Sequence, residues 1–185
     1  MTCIVGIVEK KKVFIGSDNV TICGFVKNNK SAHQTKIFKN GPFIIGSCGA
    51  CRINDIVKYH FKPPIVDKKM DINKYMITKF IPALTKAFRD NKYLKDDNNV
   101  ETFNGSLLIG YKNKLFKIDS NFALGENDTN YATIGSAHEV AYGALYVAVQ
   151  CLDNAIEILN MVLDAATAHS LYIGGKHTIM STKWD

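Results

Sequence analysis

The sequence predicts an α+β protein, a four-layer αββα sandwich in which two antiparallel sheets lie between two layers of helices. Runs rich in β-branched residues come in pairs separated by short charged turns, which is the pattern of antiparallel hairpins. Helical patterns also come in pairs, each after a group of strands, so helix layers are expected to pack outside the sheets. The chain has 185 residues, enough to bury a sizeable core, and we assign residues 1–185 to a single domain.

The first hairpin is predicted to bring a carboxylate close to the N-terminus. Thr2–Val8 and Lys12–Ser17 are predicted strands, and three charged residues separate them. If the turn centres on the Lys10–Lys11 pair, the two strands pair so that Asp18 lies beside Thr2.

The next segments are predicted to be short strands followed by a helix. The strand patterns are Val20–Phe25, Lys36–Phe38 and Pro42–Ser47, and small residues end the last of them. In the helix, these positions recur at helical spacing: Ile53, Ile56, Val57, His60 and Phe61.

A long amphipathic helix is predicted in the middle of the chain, with Asp71 as its N-cap. Its apolar face has a period of about 3.6 residues and consists of Ile72, Tyr75, Met76, Phe80, Ile81, Leu84 and Phe88. Asp90–Asn104 is predicted to be a polar loop. A second hairpin follows, with the strands Gly105–Tyr111 and Leu115–Ile118.

The C-terminal part is predicted to add two helices and close the sheet. Tyr131–Ile134 is a strand pattern, and Ser136–Gln150 and Asp153–His169 are helical patterns with small and apolar faces. Thr178–Ser181 is the closing strand.

The composition is typical of a soluble globular protein. Hydrophobic residues make up 46% and charged residues 22% of the chain. Apolar runs stay well below the roughly 20 residues of a membrane helix, and the first strand pattern has no basic leader, so we expect no membrane partner. The five cysteines are an odd number scattered through patterned segments, which favours reduced thiols in a cytoplasmic protein.

The net charge of +6 does not by itself indicate nucleic-acid binding. The lysines are spread along the chain, and no aromatic-basic recognition motif accompanies them. We therefore expect no nucleic-acid partner.

The segment Cys48-Gly49-Ala50-Cys51 resembles a redox C-x-x-C motif. It lies between a strand pattern and a helix pattern, and a helix start lowers the pKa of a thiol. A thioredoxin-like domain would place a βαβ unit before it, whereas hairpin strands precede it here. Zinc would require two more ligands, and the sequence has neither a second cysteine pair nor a His-x-x-x-His. We predict no metal and no cofactor.

The N-terminus offers a route to a nucleophile. A hydroxyl attacks poorly near neutral pH unless a base takes its proton, and the α-amino group of the same residue can be that base. This amine has a pKa of about 7.7 to 8.0, so a useful fraction is neutral at about pH 7. Thr2 becomes residue one if Met1 is removed, which its small side chain permits. Thr2 is therefore the candidate nucleophile.

Five short segments occur in an order and spacing that resemble a known family. They are Thr2–Ile7, Ile15–Thr21, Lys36–Phe38, Ile44–Gly49 and Ile134–Ala137. Together they resemble proteasome β-subunits and the bacterial HslV-type peptidase, and small phage and bacterial relatives of these most of all. The resemblance spans nearly the whole chain and implies the N-terminal-nucleophile hydrolase fold.

The resemblance also implies catalytic roles for five residues. Thr2 would attack the substrate carbonyl with its hydroxyl, and its own amine would accept the proton. Lys36 would lower the pKa of that amine, and Asp18 would hold Lys36 by a charge-assisted hydrogen bond. Gly46 would donate its backbone N–H to the oxyanion, and Ser136 would form a hydrogen bond near the amine.

Three further residues match positions that line the substrate side-chain pocket of the family: Thr21, Ile45 and Cys48. The family also has an aspartate shortly before a Gly-Gly pair near the C-terminus, where it supports the terminal amine. The matching segment here, Ala168–Gly175, has no aspartate. Ser170 and His169 are the candidates to replace it.

Taken singly, the same residues have structural interpretations. Asp18 at a strand end could be a turn former, and Lys36 a solvated lysine at a sheet edge. Ser136 could be a helix N-cap, and Gly46 a turn glycine. Only their joint order favours the catalytic interpretation.

The resemblance implies a threonine endopeptidase that cleaves peptides or unfolded proteins within a homo-oligomeric ring, with a separate ATPase as partner. Two alternatives remain open. A stand-alone amidohydrolase would use the same nucleophile on a small amide. A catalytically inactive structural or assembly protein would retain only the fold, and the missing aspartate favours this alternative slightly.

Overall fold

A computed structural model describes residues 1–23, 26–29, 35–126 and 129–182. In chain order, its strands are β1 (Cys3–Glu9), β2 (Lys12–Ser17), β3 (Val20–Cys23), β4 (Val26–Asn29), β5 (Ile37–Asn40), β6 (Phe43–Gly49), β7 (Lys95–Asp97), β8 (Val100–Thr102), β9 (Gly105–Tyr111), β10 (Lys114–Ile118), β11 (Leu124–Glu126), β12 (Tyr131–Gly135) and β13 (Thr178–Ser181). The helices are α1 (Cys51–Asp55), α2 (Ile72–Tyr75), α3 (Ile81–Asp90), α4 (His138–Cys151) and α5 (Ala155–His169).

Two antiparallel sheets form the centre of the molecule. One has the strand order β12-β1-β2-β13, and the other has the order β11-β10-β9-β6-β5. Two small hairpins, β3-β4 and β7-β8, lie outside them. Strands that are neighbours in sequence pair directly in both sheets, as the hairpin signals predict.

Three apolar clusters separate four layers. The cluster between the sheets contains Ile4, Val13, Ile15, Ile37, Ile44, Leu108, Ala132 and Ile134. Helices α4 and α5 cover the outer face of the first sheet, where Cys3 and Val5 point away from Ile4 as strand alternation requires. Helices α1 to α3 cover the second sheet on its outer face. The predicted αββα sandwich is confirmed.

The first hairpin has the predicted register. Glu9 pairs with Lys12, so Lys10 and Lys11 form a two-residue turn, and both have positive φ angles, 44° and 63°. The backbone N–H of Asp18 donates to the carbonyl of Cys3 at 3.2 Å. Asp18 was predicted beside Thr2, and the structure places it opposite Cys3, the residue that follows Thr2.

Helix boundaries follow the predicted signals with one correction. The Asp71 side chain accepts a hydrogen bond from the Lys74 N–H, which confirms this N-cap. Ser136 is not the N-cap of α4, because Ala137 occupies that position without a side-chain cap. The long central helix contains a π-helical segment, Met76–Phe80, between α2 and α3.

The predicted polar loop Asp90–Asn104 is wrong in part, because it contains the hairpin β7-β8. Asn98 and Asn99 turn this hairpin with φ angles of 52° and 66°, a conformation that asparagine tolerates. Strand β11 was not predicted, and the last residues of the predicted strand Val20–Phe25, Gly24 and Phe25, lie outside the described residues. Within the described ranges, the helices are all too short or too polar to cross a bilayer.

Candidate active site

Thr2 lies at the start of the N-terminal strand, directly before β1, and is largely buried. Its backbone N–H donates to the Ser136 hydroxyl at 3.3 Å, and that hydroxyl donates to the Thr2 carbonyl at 3.4 Å. Ser136 follows β12, which pairs with β1, so sheet pairing brings the two residues together. The predicted hydrogen bond of Ser136 at this position is present.

A buried ion pair lies beside Thr2. The Lys36 Nζ donates to both carboxylate oxygens of Asp18, at 2.7 and 2.8 Å. These residues are only 3% and 0% exposed. The pair also contacts the chain on both sides of Thr2, because Asp18 accepts from the Cys3 N–H at 2.9 Å and Lys36 donates to the Met1 carbonyl at 3.0 Å. The structure therefore gathers the predicted residues around the N-terminus.

Two strand ends, one in each sheet, make this ion pair possible. Asp18 directly follows β2, and its second oxygen accepts from the Val20 N–H at 3.3 Å. Lys36 directly precedes β5 in the opposite sheet. The Lys36 ammonium of one sheet therefore contacts the Asp18 carboxylate of the other sheet, and the two buried charges are paired.

Gly135 lets the end of β12 approach the Thr2 backbone. Its φ angle is +105°, and an added Cβ would lie 2.1 Å from the Thr2 carbonyl oxygen. A side chain at this position would therefore push away the strand that carries Ser136 or displace Thr2 itself.

We expect Gly135→Ala to lower the free energy of unfolding by about 2 kcal/mol or more, because alanine meets both the backbone strain and the contact with Thr2. Gly143→Ala is the matched control. Its Cβ would point into open space on α4, and alanine there should raise stability by about 0.5 to 1 kcal/mol. Urea unfolding measures both changes, and equal effects at the two glycines would contradict the close approach.

Two clefts meet at Thr2. The larger has a volume of about 480 Å³ and is lined by Cys48, Gly49 and Ser136, among others. The smaller has a volume of about 30 Å³, and Thr21 lies in its wall. Two of the three predicted pocket residues, Thr21 and Cys48, therefore lie in clefts beside Thr2.

The structure places the other two predicted residues of β6 away from the clefts. Ile45 is buried in the cluster between the second sheet and its helices. Gly46 lies between the sheets, where an added Cβ would come within 2.9 Å of Ile4. Gly49, three residues further on, lines both clefts with Thr2 and has a φ angle of +107°. In the sequence, the position of Gly49 at the end of the strand pattern, next to small residues, could have indicated a place at the cleft.

The chain is similar in sequence and in structure to proteins of known fold. No family model matches the chain. The ATP-dependent protease subunit HslV of Caldicellulosiruptor saccharolyticus is 24% identical over 181 residues, which is 97% of each chain. BPH of Thiobacillus denitrificans, solved in complex with epoxomicin, superposes with a TM-score of 0.83 at 20% identity over 98% of each chain. The chain has the HslV-type hydrolase fold.

Two further solved structures share this fold at lower TM-scores. HslV of Trypanosoma brucei superposes with a TM-score of 0.68 at 15% identity over 97% of this chain and 98% of that one. Anbu of Yersinia bercovieri gives a TM-score of 0.68 at 17% identity over 98% of this chain and 81% of that one. The resemblance found in the sequence is confirmed over nearly the full length.

The C-terminal segment Ala168–Gly175 supplies no side chain to the described lining of the clefts at Thr2. Ser170 caps the end of α5, and neither Ser170 nor His169 lines the clefts at Thr2. The segment contacts the site through its backbone instead, because the Gly174 carbonyl accepts from the Asn19 N–H at 3.0 Å, next to Asp18.

Burial raises the pKa of two cysteine thiols near the site, Cys3 and Cys48. Burial, assisted by the Asp18 carboxylate, raises the pKa of Cys3 to about 12. Cys48 and Cys51 line different clefts, so the C-x-x-C segment is divided between them. In the part of the chain that the structure describes, no group of three or more His, Cys, Asp or Glu side chains is placed to hold a metal ion.

Proposed function

We propose that the chain is a single-domain threonine endopeptidase in which Thr2 is the nucleophile once Met1 has been removed. One observation carries the proposal: the buried Asp18–Lys36 pair contacts the backbone on both sides of Thr2, and Ser136 contacts Thr2 itself. A structural ion pair would not need to meet the N-terminus in this way.

The chemistry follows from a free N-terminus. The amine of mature Thr2 takes the proton of the hydroxyl, and the hydroxyl oxygen attacks the substrate carbonyl carbon. The tetrahedral intermediate collapses to an ester on Thr2, and the leaving amine takes up the proton. Water then attacks the ester, and the α-amine of Thr2 again acts as the base. The carboxylic acid product leaves, and the Thr2 hydroxyl is restored.

Lys36 and Asp18 tune this amine in the proposed mechanism. Removal of Met1 takes away one acceptor of Lys36 and puts the new amine close to its ammonium group. A neighbouring positive charge favours the neutral amine and so lowers its pKa. Asp18 keeps Lys36 in place within the buried site by a charge-assisted hydrogen bond.

We assign the oxyanion-stabilising N–H to Gly49 in place of Gly46. Gly49 lines both clefts with Thr2, whereas Gly46 packs between the sheets. A glycine lets the substrate carbonyl approach the backbone closely, because it carries no side chain.

The proposed base predicts the direction of the pH dependence. A protonated amine cannot accept the hydroxyl proton, so peptide hydrolysis should be low below about pH 6 and rise towards about pH 8. The unfolding midpoint, measured over the same range, separates this effect from loss of the fold. Activity that is flat or falls between these pH values would contradict an amine base.

The assembly belongs to the same proposal. The similar HslV protein is named as a subunit of an ATP-dependent protease. We propose that this chain likewise forms a cytoplasmic homo-oligomeric ring, acts on peptides or unfolded proteins, and receives folded substrates from an ATPase.

The experiment is hydrolysis of a denatured protein by the mature chain, with the products identified by mass spectrometry and the particle size measured by light scattering. We expect short peptides from a ring-sized particle. A monomer that hydrolyses only small amides such as glutamine would instead indicate the stand-alone amidohydrolase. The absent C-terminal aspartate favours a second candidate, an inactive assembly protein, which predicts a folded particle without hydrolysis of either substrate.

A further inference from the structure

A pair of hydrogen-bonded polar side chains, Ser47 and Asn54, lines the smaller cleft at Thr2. The Ser47 hydroxyl donates to the Asn54 side-chain carbonyl at 3.1 Å, and the Asn54 amide donates to the Thr35 carbonyl at 3.4 Å. Ser47 comes from β6 and Asn54 from α1, and both are buried. These bonds fix the orientation of the Asn54 amide in the lining of the cleft.

A second polar group in the lining of the cleft, the Thr21 hydroxyl, has no hydrogen-bond partner among the described residues. This hydroxyl is buried. Buried hydroxyl groups are normally paired, and each exception calls for an explanation. A ligand atom in the cleft would supply the missing partner, because Thr21 and Thr2 line it together.

Charge and size narrow the choice of ligand. Lys36 is the one charged side chain in the described lining of this cleft, and Asp18 already neutralises it. Met1 is also part of the lining, so its removal takes away one lining residue, whereas Ser47 and Asn54 remain. A charged side chain would lose its hydration without gaining an opposite charge, and a large apolar one would cover polar groups.

We propose that this cleft receives the side chain of the residue whose carbonyl is attacked, and that it selects a small, uncharged, hydrogen-bonding side chain: serine, threonine or asparagine. The inference rests on the proposed function, because it assumes attack by Thr2. It adds Ser47 and Asn54 as specificity-determining residues.

The test uses peptides that differ only at the residue before the scissile bond and measures kcat/KM for each. We expect serine, threonine and asparagine to exceed leucine, phenylalanine, lysine and glutamate by about tenfold or more. Faster cleavage after leucine or phenylalanine, with Thr2 still the labelled nucleophile, would overturn this inference and leave the proposed function standing. If no peptide is cleaved and Thr2 does not react, both fail.

Two variants test the Asn54 amide and the Thr21 hydroxyl separately. Asn54→Leu should move the preference towards apolar side chains by about tenfold. Should that variant not fold, Thr21→Val keeps the shape and removes only the hydroxyl, which has no partner among the described residues. It should lower kcat/KM for serine and threonine peptides by about fivefold or more relative to kcat/KM for alanine peptides. Thr78→Val, on an exposed helix surface, is the control. It should leave kcat/KM unchanged for serine, threonine and alanine peptides. An unchanged preference in Thr21→Val would overturn the role of the Thr21 hydroxyl.

Discussion

Thr2→Ala is expected to abolish peptide hydrolysis while the αββα sandwich stays folded. Loss of the nucleophile of a hydrolase lowers kcat by a factor on the order of 10⁴ to 10⁶. The fold should survive, because the contacts of Thr2 with Ser136 use the backbone N–H and carbonyl, which alanine keeps. Peptide hydrolysis and urea unfolding are measured on the same preparation.

Thr2→Ser is the matched control for this variant. Serine keeps a hydroxyl, and its small side chain still permits removal of Met1, so we expect partial activity. Hydrolysis by Thr2→Ala at the wild-type rate would refute Thr2 as the nucleophile. Equal loss of activity and of folding in both variants would indicate that Thr2 has a structural role only.

Lys36→Met is expected to destroy both stability and activity, for separable reasons. It leaves the Asp18 carboxylate fully buried with two backbone N–H donors among the described residues, from Cys3 and Val20. Removal of one partner of a buried ion pair costs about 3 to 5 kcal/mol of unfolding free energy. Hydrolysis should also fall, because the ammonium beside the terminal amine is lost.

A second substitution separates the two effects. In the double variant Asp18→Asn/Lys36→Met, the buried charge is gone, and we expect most of the stability to return while hydrolysis stays lost. The exposed pair Lys86–Asp90, 70% and 56% exposed, supplies the control, and Lys86→Met should change stability by no more than about 0.5 kcal/mol. Recovery of activity in the double variant would show that the pair is structural only.

The sequence alone predicted the part of the site that depends on local geometry. A two-residue turn at Lys10 and Lys11 fixes the register of the first hairpin, and that register places Asp18 next to the N-terminal strand. Lys36 belongs to the other sheet, and only the packing of the two sheets brings it to Asp18. Its place could be expected from the family resemblance but not from spacing.

The sequence pattern did not distinguish Gly46 from Gly49 as the glycine that lines the clefts. Gly46 and Gly49 lie in one strand and one short motif, three residues apart. Side chains alternate between the faces of a strand, so position along it decides whether a residue meets the core or a cleft. Ser47 and Asn54 were missed for a related reason, since their contact requires α1 to fold back beside β6.

Intact mass spectrometry after incubation with an epoxyketone probe tests the free threonine terminus directly. We expect a chain that has lost Met1 and carries one probe, and peptide mapping should locate that probe on Thr2. A chain from its native host that keeps Met1, or one that carries the probe on an exposed thiol such as Cys51 and not on Thr2, would contradict the proposed nucleophile.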